Sequence, residues 1–305
     1  MVHNKFKWNL VSRLRSNSFS HGCHGPGITY DKVPAFIEWQ TGNIECRDSY
    51  NGDWSYGIPH APTFFIDETV DIIEQGNPFG PGPAYYVTLE SPAIMDDRAT
   101  SQVLRDNIDL MNERYNLIFT YDTNLLNDET IDTSRWRFMP AMCSWIKDSS
   151  RVPKTKLISA IMSGLDQVEG HKYRLNLLDL ATRNNPHINI VKGGHATINP
   201  VLAKEDLLQK YMFSVAAENA KHPGYFTEKI LDCFACRSVP IYLGAPDIGD
   251  FFNAAGILDF ESFARGDLEL SEELYYSMMD AIEDNYERVM RYMCWEDLLW
   301  NNFFS

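Results

Sequence analysis

From residue 157 onward the chain alternates between short apolar runs and longer stretches in which apolar residues return every three or four positions. The runs LISAIMS (157–163), HINIVK (187–192), MFSVAAEN (212–219) and VPIYLG (239–244) have the length and composition of buried strands. Between them, HKYRLNLLDLATR (171–183), AKEDLLQKY (203–211) and TEKILDCFACR (227–237) carry the spacing of amphipathic helices. Strands separated by helices of this length predict a parallel sheet covered on both faces, with ligands bound at the carboxyl ends of the strands. The expected class is α/β, and the second half reads as a doubly wound, nucleotide-binding-like domain.

The first half is less periodic. YYVTLES (85–91) and NLIFTYD (116–122) predict buried strands joined by a helix-competent stretch over 99–115, which makes one β-α-β unit. The first 80 residues are rich in Gly, Pro, Asn and aromatics and run into the turn-dense GNPFGPGP (76–83). A polar stretch, KDSSRVPKTK (147–156), has the composition of a linker. A length of 305 residues suggests about two domains. We therefore expect an N-terminal domain over 1–150, a nucleotide-binding domain over 151–265 and a helical tail over 266–305 that packs on the body.

Charge changes the picture of partners. With 27 Lys+Arg against 42 Asp+Glu the net charge is −15, so the chain lacks the broad basic face of a sequence-independent nucleic-acid binder. A phosphate group must meet a local basic site. Residues 259–297 hold twelve acids and three bases, and apolar Leu274, Met278, Ile282, Val289 and Met293 recur there at helical spacing. That pattern reads as a solvated acidic face on packed helices, which an anionic membrane surface would repel. An apolar content of 44% is that of a folded chain, and no run of 18 apolar residues marks a membrane span. Six sparse cysteines and an N-terminus without an apolar leader point to a soluble, cytoplasmic protein.

The densest chemical signal is the segment 213–244. A buried strand ends in Glu218 and Asn219, a Pro-Gly loop follows, and a helix opens at Thr227 with Glu228 and Lys229 in its first turn. A helix N-terminus presents unpaired N–H groups and a partial positive charge, so an adjacent Lys makes a cradle for diphosphate, while Glu228 is suited to accept from ribose or sugar hydroxyls. By local rules alone Thr227 and Glu228 equally suit a cap and a dipole partner. Arg174, near the start of the helix after LISAIMS, falls on the same sheet edge and offers the bidentate phosphate geometry that Lys lacks. Glu90 ends a strand in LESP, a place from which a carboxylate can abstract a proton.

These residues resemble glycosyltransferase family 10, the α1,3/4-fucosyltransferases. Glu218-Asn219, then Tyr225-Phe226-Thr227-Glu228-Lys229, then Val239-Pro240-Ile241-Tyr242-Leu243-Gly244 stand in family order. Upstream, Glu90-Ser91-Pro92, the strand into Thr120-Tyr121-Asp122, and the Ser163-bearing strand leading to Arg174 extend the resemblance over roughly residues 85–260. Ala217, Ala220 and Gly224 depart from it, standing where the family usually has an aromatic, a Ser and an acid.

The resemblance implies a GT-B architecture, in which two Rossmann-like domains face each other across a cleft, the first binding the acceptor and the second the GDP-sugar. It implies transfer of L-fucose from GDP-β-L-fucose, with inversion, to a hydroxyl of a glycan acceptor, in the manner of soluble microbial or viral members without a membrane anchor. Glu90 then matches the general base, Arg174 and Lys229 the diphosphate contacts, and Asn219, Tyr225 and Glu228 the lining of the nucleotide-sugar site. No Asp-x-Asp occurs in the chain, so we expect no cofactor and no obligatory metal. Two alternatives keep the site: a transferase using another purine-diphosphate sugar, or a catalytically silent GDP-sugar or glycan-binding module. The acceptor, the linkage and the oligomeric state are not legible.

Other signals read blandly. His21, Cys23 and His24, with His60 or Cys46, lack a second clean zinc-binding pair, and Cys233-x-x-Cys236 falls inside a helix as two buried thiols. There is no Walker loop and no Gly-x-Gly-x-x-Gly, and Gly193-Gly194 is a weak motif.

Overall fold

The computed structural model describes residues 6–12, 37–41, 59–67, 77, 80–93, 101–146, 148–193 and 200–305. His21, Cys23, His24, Cys46 and Gly194 lie outside the described residues. The chain divides into two compact units, Met1–Ala141 with Cys294–Ser305, and Met142–Met293.

The first unit holds a parallel sheet of β1 (Phe6–Ser12), β2 (Ile37–Thr41), β3 (Thr63–Ile66), β4 (Ala84–Val87), β5 (Leu117–Thr120) and β6 (Trp136–Phe138). Their order is β2-β1-β3-β4-β5-β6. The anticipated β-α-β unit is thus the middle of a larger sheet. Register sets Phe65 beside Tyr86 and Ile118, and Phe64 beside Tyr85 and Leu117. Because successive side chains point to opposite faces, each row fills a different layer. Phe65, Tyr86 and Ile118 pack under Leu104, Met111 and Tyr115 of the helices Ser101–Asp106 and Ile108–Arg114 and the residue that follows them.

The other row meets the end of the chain. Helix Trp295–Phe303 sets Trp300 against Phe6 at 4.5 Å between ring centroids and Phe303 against Phe119 at 5.0 Å, and Phe304 just beyond it lies 5.2 Å from Tyr85. The single tail expected over 266–305 therefore divides. Its acidic helices Glu272–Ser277 and Met279–Val289 bury Tyr275, Ala281, Ile282 and Val289 in the second unit, whereas the aromatic Trp300-x-x-Phe303-Phe304 stripe covers the first sheet. The unit boundary likewise falls at Ala141–Met142 rather than near residue 150, because the backbone N–H of Trp145 is held by Asp232 at 2.6 Å and that of Ser144 by the Tyr292 carbonyl at 2.8 Å.

The second unit holds β7 (Lys156–Ile161), β8 (Val191–Gly193), β9 (Tyr211–Ala217), β10 (Val239–Leu243) and β11 (Leu258–Asp259), all parallel and ordered β11-β10-β9-β7-β8. β8 is shorter than HINIVK predicts. Pro186 opens a turn in which the Ile188 N–H bonds the Asn185 carbonyl, yet Ile188 and Ile190 still reach the core. β9 is buried along its whole length, and on one face Phe213, Val215 and Ala217 share a core with Leu177, Leu178 and Ala181 of the helix Glu169–Asn184 and with Phe260, Phe263 and Tyr275. Both units are parallel α/β sheets, and among the described residues no helix is long and apolar enough to cross a membrane.

Candidate active site

In a doubly wound sheet, successive connections run to opposite sides where the strand order reverses, and a crevice opens at the carboxyl ends there. In the second sheet the reversal lies between β7 and β9. β7 leads into Ser163 and the helix Glu169–Asn184, and β9 leads into Glu218 and Asn219.

Arg174 stands at this reversal. One guanidinium nitrogen bonds Ser163 Oγ after β7 at 2.9 Å, and another bonds the Ala217 carbonyl at the end of β9 at 3.3 Å. The residue is only 3% exposed, and its Nε is buried with no hydrogen-bond partner. Burial pulls its pKa down, against the pull of Glu218, Glu228 and Tyr225 nearby. None of these carboxylates forms an ion pair with it, so a buried full charge is met only by neutral oxygens. A charge in that state is stabilised when an anion arrives.

Lys229 approaches from the next crossover. Thr227 caps the helix Glu228–Ala235, its N–H and hydroxyl each 2.9 Å from Glu218 Oε1, and the hydroxyl accepts from Lys229 Nζ at 2.9 Å. Lys229 Nζ lies 3.0 Å from Glu218 Oε2 and 3.5 Å from Glu228 Oε1, with a quarter of the side chain open to solvent. Burial works against the ammonium, but the carboxylates of Glu218 and Glu228 outweigh it and raise its pKa, so it stays protonated. Glu218 itself is fully enclosed, and burial raises its pKa in spite of Lys229. Glu228 is further steadied by Lys204 at 3.6 Å, and Lys204 in turn pairs with Asp232 at 2.8 Å and lies 3.8 Å over the Trp145 ring.

The loop between these parts is tight. A Cβ on Gly170 would sit 1.8 Å from the Asn219 carbonyl oxygen, so only glycine lets the helix start press against the end of β9. Asn219 is 8% exposed and its Oδ1 is buried without a hydrogen-bond partner. Tyr225 is buried behind a turn closed by its N–H to the His222 carbonyl at 3.0 Å. Gly224 has a φ of +73° and donates its N–H to Asp247 at 2.7 Å, so the position takes the residue that left-handed backbone favours.

In the first unit, Glu90 follows β4 and is half-buried. Its backbone N–H donates to Asp67 Oδ2 at 3.1 Å, its carbonyl accepts the Tyr121 hydroxyl at 2.9 Å, and its Oε1 accepts the Ser91 N–H at 3.0 Å. Asp67, 1% exposed with a φ of +48°, also accepts the Leu89 N–H at 2.9 Å. Burial, then Asp67, Asp122 and Glu90, raise the Tyr121 pKa well above the ordinary phenol value, which keeps its donor proton in place.

Arg174, Asn219, Tyr225, Glu228 and Lys229 thus gather at one sheet edge, and Glu90 occupies the corresponding edge of the other unit. Sequence reasoning missed Glu218 as the anchor of Lys229, Asp67 as the clamp on the Glu90 backbone, and His171. The signal for His171 is the stripe His171, Arg174, Leu178, Ala181, a buried face whose first two members are polar. Among the described residues no group of three or more His, Cys, Asp or Glu is placed to hold a metal ion.

The second unit is therefore a doubly wound α/β domain with a buried guanidinium and a partly exposed ammonium at its strand reversal. Residues 152–302 match the family model for the glycosyltransferase family 10 (fucosyltransferase) C-terminal region, and the chain belongs to that family through this half. The α-(1,3)-fucosyltransferase FucT of Helicobacter pylori is 33% identical over 84 residues, 26% of this chain and 18% of its own length. A putative fucosyltransferase-like protein of Arabidopsis thaliana is 28% identical over 141 residues, 46% of this chain and 26% of its own. The 3-galactosyl-N-acetylglucosaminide 4-alpha-L-fucosyltransferase FUT3 of Bos taurus is 27% identical over 158 residues, covering 50% and 40%. The chain thus spans less than half the length of these relatives. A solved α1,3-fucosyltransferase with GDP-fucose is similar with a TM-score of 0.44 at 14% identity, over 95% of this chain and 83% of that one.

Proposed function

We propose that the protein is an inverting fucosyltransferase that moves L-fucose from GDP-β-L-fucose to a hydroxyl of a glycan acceptor. The observation that carries this reading is Arg174, a buried guanidinium without a carboxylate partner at the strand reversal, one crossover from the partly exposed Lys229. The family membership and the printed names of the relatives favour fucose as the sugar, and GDP as its carrier is what the family resemblance implies.

In this scheme Arg174 and Lys229 hold the diphosphate, and Asn219, Tyr225 and Glu228 line the nucleotide-sugar site. The acceptor hydroxyl attacks the anomeric carbon from the face opposite the phosphate. Its oxygen forms the new C–O bond as the bond to phosphate breaks, its proton passes to Glu90, and GDP departs. Arg174 and Lys229 are fixed before reaction, so they stabilise the charge growing on the departing phosphate without reorganising. Helix Glu169–Asn184 adds N–H groups with no side-chain cap, because Val168 precedes it. With two fixed cations at the diphosphate, the reaction is proposed to need no metal.

The test is GDP-fucose incubated with a glycan array in EDTA, with products read by mass spectrometry. Fucosylated products and release of GDP are expected. Transfer of a different sugar from a panel of nucleotide sugars would move the donor assignment, no transfer from any donor would remove the enzymatic reading, and activity restored only by Mn²⁺ or Mg²⁺ would remove the metal-free scheme.

A further inference from the structure

Beside Arg174 stands a group that the proposed chemistry has not used. His171 lies one helical turn before Arg174 and so shares its face. It is 3% exposed, its Nδ1 is buried without a partner, and neither ring nitrogen forms a hydrogen bond among the described residues. A buried imidazole normally spends at least one nitrogen on a neighbour. Two other buried polar atoms of the same crevice, Arg174 Nε and Asn219 Oδ1, are unspent in the same way. Gly170, between the helix start and His171, is pressed onto the Asn219 carbonyl, which places the imidazole's turn of helix against the end of β9.

The charges around it favour a neutral ring in the free protein. Burial, then Arg174 on its own helix and Lys229 on the helix from Glu228, push its pKa below the usual histidine value, and only Asp166 in the loop after β7 pulls the other way. Glu218, at the end of β9, is already committed to Thr227 and Lys229. Two negative charges entering between Arg174 and Lys229 reverse that balance.

We propose that His171 is a further donor-binding residue, neutral when the site is empty, which takes one proton from solvent as the sugar diphosphate enters and donates it as a hydrogen bond to a phosphate oxygen. The inference rests on the diphosphate reading given above. Its consequence is that donor affinity weakens as pH rises through the pKa of His171 in the complex, by up to about tenfold per pH unit for one linked proton.

Titration calorimetry with GDP-fucose at about pH 7.5, in buffers of differing ionisation heat, reads the proton directly. Both phosphates of this donor are diesters and do not titrate there, so any proton taken up belongs to the protein. The intact protein is expected to take up a measurable fraction of a proton per donor bound, and His171→Gln to bind several-fold more weakly with no uptake. Binding without uptake by the intact protein, or the same uptake in His171→Gln, overturns the role of His171 and leaves the diphosphate site standing. If His171→Gln fails to fold, His171→Asn and the pH dependence of affinity in the unaltered protein decide the question, a flat profile counting against the proposal. Absence of GDP-fucose binding in the intact protein overturns the site and this inference together.

Discussion

The two sheets reverse strand order in the same way, and their carboxyl edges are furnished oppositely. The edge of the second sheet carries Arg174, His171 and Asn219 with buried polar atoms left unspent. At the first edge, the Asp67 carboxylate is consumed by the N–H groups of Leu89 and Glu90, and the Glu90 carbonyl by Tyr121. One edge keeps buried polar atoms without partners beside a buried cation; at the other, the polar groups bond one another and fix the Glu90 backbone. The same strand reversal thus supplies two places for polar groups, which differ in whether their hydrogen bonds are already made.

The first way to break this contrast is at Glu90. Glu90→Gln preserves shape and the bond from the Ser91 N–H while removing the base, and turnover should fall by about 10² to 10⁴. GDP affinity measured by calorimetry should not change. Near-full turnover, or weakened GDP binding, would each take Glu90 out of the proposed role.

Arg174→Met comes next and should act on binding and stability in opposite senses. Removing a bidentate charged donor should weaken GDP binding by about 10²-fold. Replacing a buried, unpaired charge by an apolar chain of similar volume should leave the thermal midpoint equal or higher. A midpoint that drops sharply would mean that the bonds to Ser163 and Ala217 hold the fold together and that the residue is structural.

How much of this was legible beforehand depends on how local the cause is. β9, β10 and the helix opening at Thr227 announce themselves because long buried runs and a capping threonine leave their mark in a dozen neighbouring residues. The alternation of strand and helix puts Arg174 at the carboxyl edge, but its burial is not legible: the neutral oxygens that hold it come from Ser163 and Ala217, 11 and 43 residues away. The partnership of Glu218 with Lys229 was hidden for a similar reason, since a strand-terminal Glu reads as solvated until a loop folds over it. In the first unit, four-residue strands such as β3 carry too few positions for a period to emerge. The split tail shows the remaining limit, because helical spacing says which face is buried and not which sheet buries it.

Lys229→Met sharpens the second edge. GDP binding should weaken about tenfold, less than for Arg174, because a single ammonium lacks the guanidinium fork. Stability should also fall, by about 3 kcal/mol at neutral pH, since Glu218 is left buried without its cation. The pH dependence has a definite sign. Burial already raises the folded-state pKa of Glu218, and loss of Lys229 raises it further. A group shifted upward contributes stability below its unfolded pKa that disappears as pH rises through the folded one. The deficit of Lys229→Met in urea melts should therefore shrink from about pH 8 to pH 5, and a constant deficit would argue against Glu218 as its origin.

The smallest effect is expected at Asp67, where only aim is at stake. Asn tolerates the left-handed backbone at this position, so Asp67→Asn keeps the turn. The amide still offers one oxygen to the N–H groups of Leu89 and Glu90, but its nitrogen opposes the other as donor against donor. One buried bond is lost, at a cost of about 1–3 kcal/mol. Because Asp67 touches the Glu90 backbone and not its carboxylate, the result should be a fall in turnover of a few-fold from a loosened mount, with GDP affinity in the second unit unchanged. A loss as large as that of Glu90→Gln would instead assign Asp67 to the chemistry, and no loss would mean that the Tyr121 bond to the Glu90 carbonyl holds the carboxylate in place unaided.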